Sequence, residues 1–258
     1  MKKKIKDSII IKAATIAALM ISLLFLASST CSKKNDLKCI SLCFSYPVNS
    51  YKEKDEIKIY NLKDTISIFY YSDYLIYRLS PTVRFETGEK VKGTEPYFIY
   101  NKKNKLGLLF SSLEDSTQGI TYPVDSFLIN RALKGKDLDI PVDSLWSLIG
   151  VVKGKDGILI EKYGSIKPGD EMTIDSIYYY YSKKMIKVEY SFSKKLDSIN
   201  RMKLFKARFL FNSKYSSSNK IVLPKRELSL EMREEIASDS KEILSLVKKF
   251  QNGNRSLK

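Results

Sequence analysis

Apolar and polar residues alternate along much of the chain after residue 57, which is the period of β-strands with one buried face. The clearest run covers residues 185–193, where Ile186, Val188, Tyr190 and Phe192 alternate with Lys187, Glu189 and Ser191. The same spacing sets Ile66, Ile68 and Tyr70 on one face, then Leu75, Tyr77 and Leu79, then Leu106, Leu108 and Phe110, then Phe205, Ala207, Phe209 and Phe211. Turn-forming links lie between these runs at Ser72-Asp73, residues 101–105, residues 154–157 and residues 182–184. Short links of this kind join neighbouring strands, so the pattern predicts hairpin after hairpin of antiparallel sheet.

Helical spacing replaces alternation in three places. Pro123-Val124-Asp125-Ser126-Phe127 and Pro141-Val142-Asp143-Ser144-Leu145 repeat a PVDS wording. Each aspartate can accept hydrogen bonds from the free amides of a first helical turn, and Gly135 and Gly150 supply stops. The second of these helices would carry Trp146, the only tryptophan, toward the core. From 227 to 251 the spacing of Met232, Ile236, Ile243, Val247 and Phe250 predicts one long amphipathic helix, with Glu231, Glu234 and Glu235 near its start and Lys248 and Lys249 near its end. The expected fold class is therefore α+β: mostly antiparallel β-sheet with short central helices and a long C-terminal helix, with a curved half-barrel as the alternative. Residues 57–258 are ample for a single core, and no linker-like stretch divides them.

The first 30 residues have a different character. Lys2, Lys3, Lys4 and Lys6 precede an apolar run through residues 9–27, which is the layout of an export signal. Residues 13–30 are 18 uncharged positions, long enough to serve instead as a retained anchor. Ala27-Ser28-Ser29 offers a site for ordinary signal cleavage. The tetrad Ser28-Ser29-Thr30-Cys31 resembles a bacterial lipoprotein signal, and that resemblance implies a lipidated Cys31 as the new N-terminus. All three fates expect an extracytoplasmic domain, membrane-anchored or secreted. The polar stretch 31–56 reads as a flexible tether. Within it Cys39 and Cys43 form an even pair once Cys31 is set aside, so an oxidising compartment would permit a disulfide between them.

Charge and missing residue types narrow the chemistry. The chain has formal charge +16, and removing the five lysines and one aspartate of residues 1–30 lowers it to +12. Only eight of its cationic residues are arginines. Lysine is a solvated point charge rather than a bidentate phosphate reader, which argues for anionic envelope polymers, lipid headgroups or another envelope protein as partners and against nucleic acid. With no histidine at all, Ser-His-Asp and Cys-His hydrolases and histidine-bound metal sites are excluded. Carboxylate-pair chemistry survives without a motif to locate it. Asp137, Asp139 and Asp143 fail the calcium-loop pattern, since Val142 and Leu148 stand where glycine and glutamate belong. No phosphate-binding glycine loop occurs, so neither cofactor nor metal is expected.

Tyr178, Tyr179, Tyr180 and Tyr181 must send two rings to each side of a strand. With Tyr70 and Tyr71 in an earlier hairpin of similar wording, they are candidates for an aromatic ligand-binding surface. Three functional classes follow. The first is a membrane-tethered lipoprotein acting as a non-catalytic binding or assembly component of the cell envelope. The second is a carrier of an apolar or lipid ligand, marked by an interior pocket above about 300 Å³. The third is a carboxylate hydrolase.

Overall fold

The computed structural model describes residues 37–51, 57–79, 94–115, 117, 119–131, 146–166, 173–216 and 221–254. Residues from Leu37 onward form one compact unit. The leading segment with Cys31, the acidic cluster at 137–143, Gly135 and the second PVDS stretch lie outside the described residues.

Two series of hairpins meet in the middle of one sheet. The first runs outward from the centre as β1 (Lys38–Tyr51), β2 (Ile57–Tyr71), β3 (Tyr74–Arg78), β4 (Tyr97–Asn101), β5 (Leu106–Phe110) and β6 (Ile120–Pro123). Helix α1 (Val124–Arg131) follows β6 directly, with Asp125 in its first turn, where a carboxylate complements the helix dipole. The second series enters at the opposite edge as β7 (Trp146–Lys153), β8 (Leu159–Ser165), β9 (Ser176–Ser182) and β10 (Lys203–Phe211). Helix α2 (Lys194–Asn200) lies between β9 and β10, and a small hairpin, β11 (Lys214–Ser216) with β12 (Ile221–Leu223), leads to β13 (Arg226–Glu235). β13 slots between β10 and β1, giving eleven antiparallel strands in the order β6-β5-β4-β3-β2-β1-β13-β10-β9-β8-β7. The sheet is not closed, because β6 and β7 are its two edges. Helix α3 (Ser240–Asn254) ends the described chain.

Alternation then decides what each face carries. On the inner face Ile40, Leu42, Ile68, Tyr77, Phe98, Tyr179, Tyr181, Ala207 and Phe209 pack with Val124, Phe127 and Leu128 of α1 and with Leu196 of α2. On the outer face Phe69, Ile76, Ile99, Leu108 and Phe110 pack against Ile243, Leu246, Val247 and Phe250, the apolar stripe of α3. Arg78 and Asp239 join β3 to the start of α3 by an ion pair at 2.7 Å. Lys249 near the other end donates to the Asp115 carbonyl and lies over the Phe110 ring.

Four expectations about secondary structure are corrected. Residues 185–193 alternate but do not form a strand; they follow successive turns, with Ile186 N–H bonded to the Lys183 carbonyl and Val188 N–H to that of Met185. Buried Val188 and Phe192 are instead anchors of a segment lying over the inner face. The long C-terminal helix is half strand, since 226–235 is β13, Met232 is 1% exposed in the sheet, and Ile236 is 96% exposed in the link. Residues 38–51 of the expected tether are β1, a central strand paired on both sides, because Ile40, Leu42 and Phe44 supply one dry face. Trp146 opens edge strand β7 instead of sitting in a helix, and Gly150 lies within that strand, not at a helix end.

Cys39 and Cys43 are both free. Four residues of extended strand span about 13 Å, well beyond the reach of a disulfide, so membership of β1 forbids the expected bridge.

Candidate functional site

Part of the inner face is roofed rather than filled. A cavity of about 1060 Å³ opens there, with Phe44 of β1, Ile66 and Tyr70 of β2, Leu75 and Tyr77 of β3 and Tyr100 of β4 on one side. Phe209 and Phe211 of β10 and Leu228 and Leu230 of β13 continue the apolar wall. Tyr190 and Phe192 of the 183–193 segment and Val124 of α1 complete it from above.

The roof is held by a polar knot. Asp197 of α2 accepts from the Ser191 hydroxyl at 2.7 Å and the Leu204 amide at 2.7 Å, and it pairs with Lys203 at 2.9 Å. Lys203 is 7% exposed, so this pair stands where solvent cannot replace a lost partner. Ser193 caps α2 by accepting from the Leu196 amide. Midway along the segment Glu189 pairs with Lys102, in the link between β4 and β5, at 2.8 Å. That pair is partly exposed and contributes at most about 1 kcal/mol.

The polar atoms inside the cavity are neutral. Burial pushes the Tyr70 hydroxyl far above its ordinary range, with the Glu189 charge adding to it, while the Tyr190 backbone N–H donates to the Tyr70 oxygen. Burial likewise raises Tyr77 and Tyr100, whose hydroxyls bond to each other. The charged groups of the lining, Asp64, Lys102, Lys105, Asp125, Glu189 and Lys194, stand at exposed or half-buried positions. In the second hairpin series Glu161 is buried and accepts from the hydroxyls of Tyr181 at 2.8 Å and Tyr163 at 3.0 Å, a satisfied carboxylate that does not line the cavity.

The six candidate tyrosines do not form one surface. Tyr70 lines the cavity, and Tyr71 packs on the outer face beside α3. Tyr179 and Tyr181 are fully buried on the inner face. Tyr178 and Tyr180 point outward, as alternation requires, and lie beneath cations: Lys162 and Arg208 over Tyr178, Lys206 over Tyr180. Arg208 also bonds Tyr180 at 3.2 Å and holds Glu227 in a fork at 2.7 and 2.6 Å. Of the cavity residues not picked out from the sequence, Phe44, Tyr190, Leu228 and Leu230 belong to stretches whose element type differs from the expectation, whereas Ile66, Leu75, Tyr77, Phe209 and Phe211 lie on strands that alternation predicts.

Among the described residues no helix is long and apolar enough to cross a membrane, and no group of three potential ligands could hold a metal ion. No family model, no curated protein and no solved structure matches this chain.

Proposed function

We propose that the protein is a non-catalytic component of the cell envelope that binds and carries an apolar or amphiphilic ligand, with a lipid-modified Cys31 tethering it to the membrane. The observation that carries this reading is the cavity of about 1060 Å³ with aliphatic and aromatic walls. Its size matches the upper end of ligand pockets, about 300–1,000 Å³. In this reading the open sheet serves as a half-barrel whose missing wall is supplied by the 183–193 segment and the helices α1 and α2. Neutral, mutually bonded tyrosine hydroxyls among buried apolar walls and charged groups at exposed positions of the lining suit an amphiphile with its chain enclosed and its polar end near water. Docking of a partner through an exposed tyrosine surface has less support, since Tyr178 and Tyr180 are already covered by cations of their own sheet.

The test is the fluorescence of N-phenyl-1-naphthylamine, which brightens in apolar surroundings, on titration with the protein. Wild type binds the probe, Leu228→Trp weakens binding by about tenfold by filling the cavity, and Tyr180→Ala on the outer face leaves it unchanged. Equal binding by wild type and Leu228→Trp would overturn the reading.

A further inference from the structure

The mouth of the cavity is charge-balanced in a chain whose formal net charge is +16. Lys102, Lys105 and Lys194 and Asp64, Asp125 and Glu189 are the charged residues that line it, three ammonium groups and three carboxylates, of which Lys102 and Glu189 are paired. We propose that the ligand's polar end is zwitterionic, one anionic and one cationic centre on an alkyl-chain amphiphile such as a phosphocholine or phosphoethanolamine lipid, seated at Lys102 and Glu189. The proposal rests on the carrier reading and adds the headgroup class to it.

Three observations carry it. Lys102 and Glu189 belong to opposing walls, the β4–β5 link and the roof segment, and they meet at 2.8 Å across the mouth. Their side chains are 35% and 54% exposed, so water can solvate each as they part and a headgroup can take the place of each partner, anion to Lys102 and cation to Glu189. A purely anionic head would gain Lys102 and Lys105 but meet Glu189 and Asp125, and a purely cationic one would meet the converse.

The experiment displaces N-phenyl-1-naphthylamine from the full-length protein with four amphiphiles sharing one alkyl chain, used as monomers: a phosphocholine, a phosphate, a trimethylammonium and an alcohol. The expected result is half-displacement by the phosphocholine at a concentration about three- to fivefold lower than by any of the others. In Lys102→Ala/Glu189→Ala this ratio falls to about one, whereas Tyr180→Ala retains it. Being a ratio, it does not depend on the fraction of folded protein. Equal displacement by all four, or preference for the phosphate, overturns the headgroup assignment and leaves the carrier reading standing. Displacement by none of them, or equally by chainless glycerophosphocholine, overturns the carrier reading itself.

Discussion

The rings of Phe98 on β4 and Phe127 on α1 stack with centroids 3.8 Å apart and planes 21° from parallel. This contact fixes the helix that forms one shoulder of the cavity. It depends on Gly107 in β5, where an added Cβ would sit 2.7 Å from a Phe98 ring carbon and 2.8 Å from the Ile99 carbonyl oxygen. The carbonyl belongs to the ladder and cannot yield as a side chain can.

Phe127→Ala should therefore lower the unfolding free energy by about 3–5 kcal/mol, read from urea melts, because a fully buried ring is lost with little room for collapse. Gly107→Ala should cost about 1–3 kcal/mol by overpacking the same contact from the other side. A loss below about 1 kcal/mol for Phe127→Ala would mean that α1 is not held by this stack.

Asp197 makes its bonds inside the roof, so its removal should be felt twice. Asp197→Asn leaves the buried Lys203 without its counter-charge and should destabilise by about 3–5 kcal/mol. It also weakens the hold on Ser191, so affinity for N-phenyl-1-naphthylamine should fall at temperatures where the variant remains folded. Unchanged probe affinity would separate the roof from the site.

Cys39 and Cys43 should differ in reactivity although both are free. Burial, reinforced by the Glu235 charge, pushes the Cys39 thiol up to about 11, so at pH 8 it carries almost no thiolate. Cys43, on the same strand, lies partly exposed. In a Cys31→Ser background, native-state iodoacetamide should label Cys43 and spare Cys39, so Cys43→Ser abolishes labelling and Cys39→Ser does not.

Acid should unpick the outer face of the second series. The fork from Arg208 holds the Glu227 carboxyl below its ordinary value of 4.5. The stability it contributes is fully present above that unfolded-state value and is lost as pH falls through the depressed one. Because the pair is about one-third exposed, the loss is under about 1 kcal/mol. Glu227→Gln should flatten the acid limb of a stability–pH curve below pH 4.5 and leave stability differences constant above it.

Where the alternating stretches have hydrogen-bonding neighbours, they were legible in the chain: β2, β3, β5, β9 and β10, with the turn at Ser72-Asp73 and the tight link at 154–157. The failures have three causes. Alternation reports a two-sided environment but not a strand partner, and residues 185–193 alternate because Val188 and Phe192 face the core while Glu189 faces the mouth. Conversely, Leu228, Leu230 and Met232 alternate with Glu227, Ser229, Glu231 and Arg233, yet glutamate, leucine, methionine and arginine all favour helix, and that propensity masked a central strand. β1 was hidden by the polar sequence around it. The cavity was illegible for the same reasons, since two of its walls are β1 and β13 and its roof is the segment read as a strand.

The ladder that sets Cys39 opposite Glu235 has a consequence for how the molecule comes into being. Ribosomes deliver β1 first and β13 nearly last, so the first meander must wait with one flank bare until almost the whole polypeptide has been made. Neither half can enclose anything by itself. A chain truncated between Phe211 and Arg226 would keep the strands of both series and lack the one that joins them.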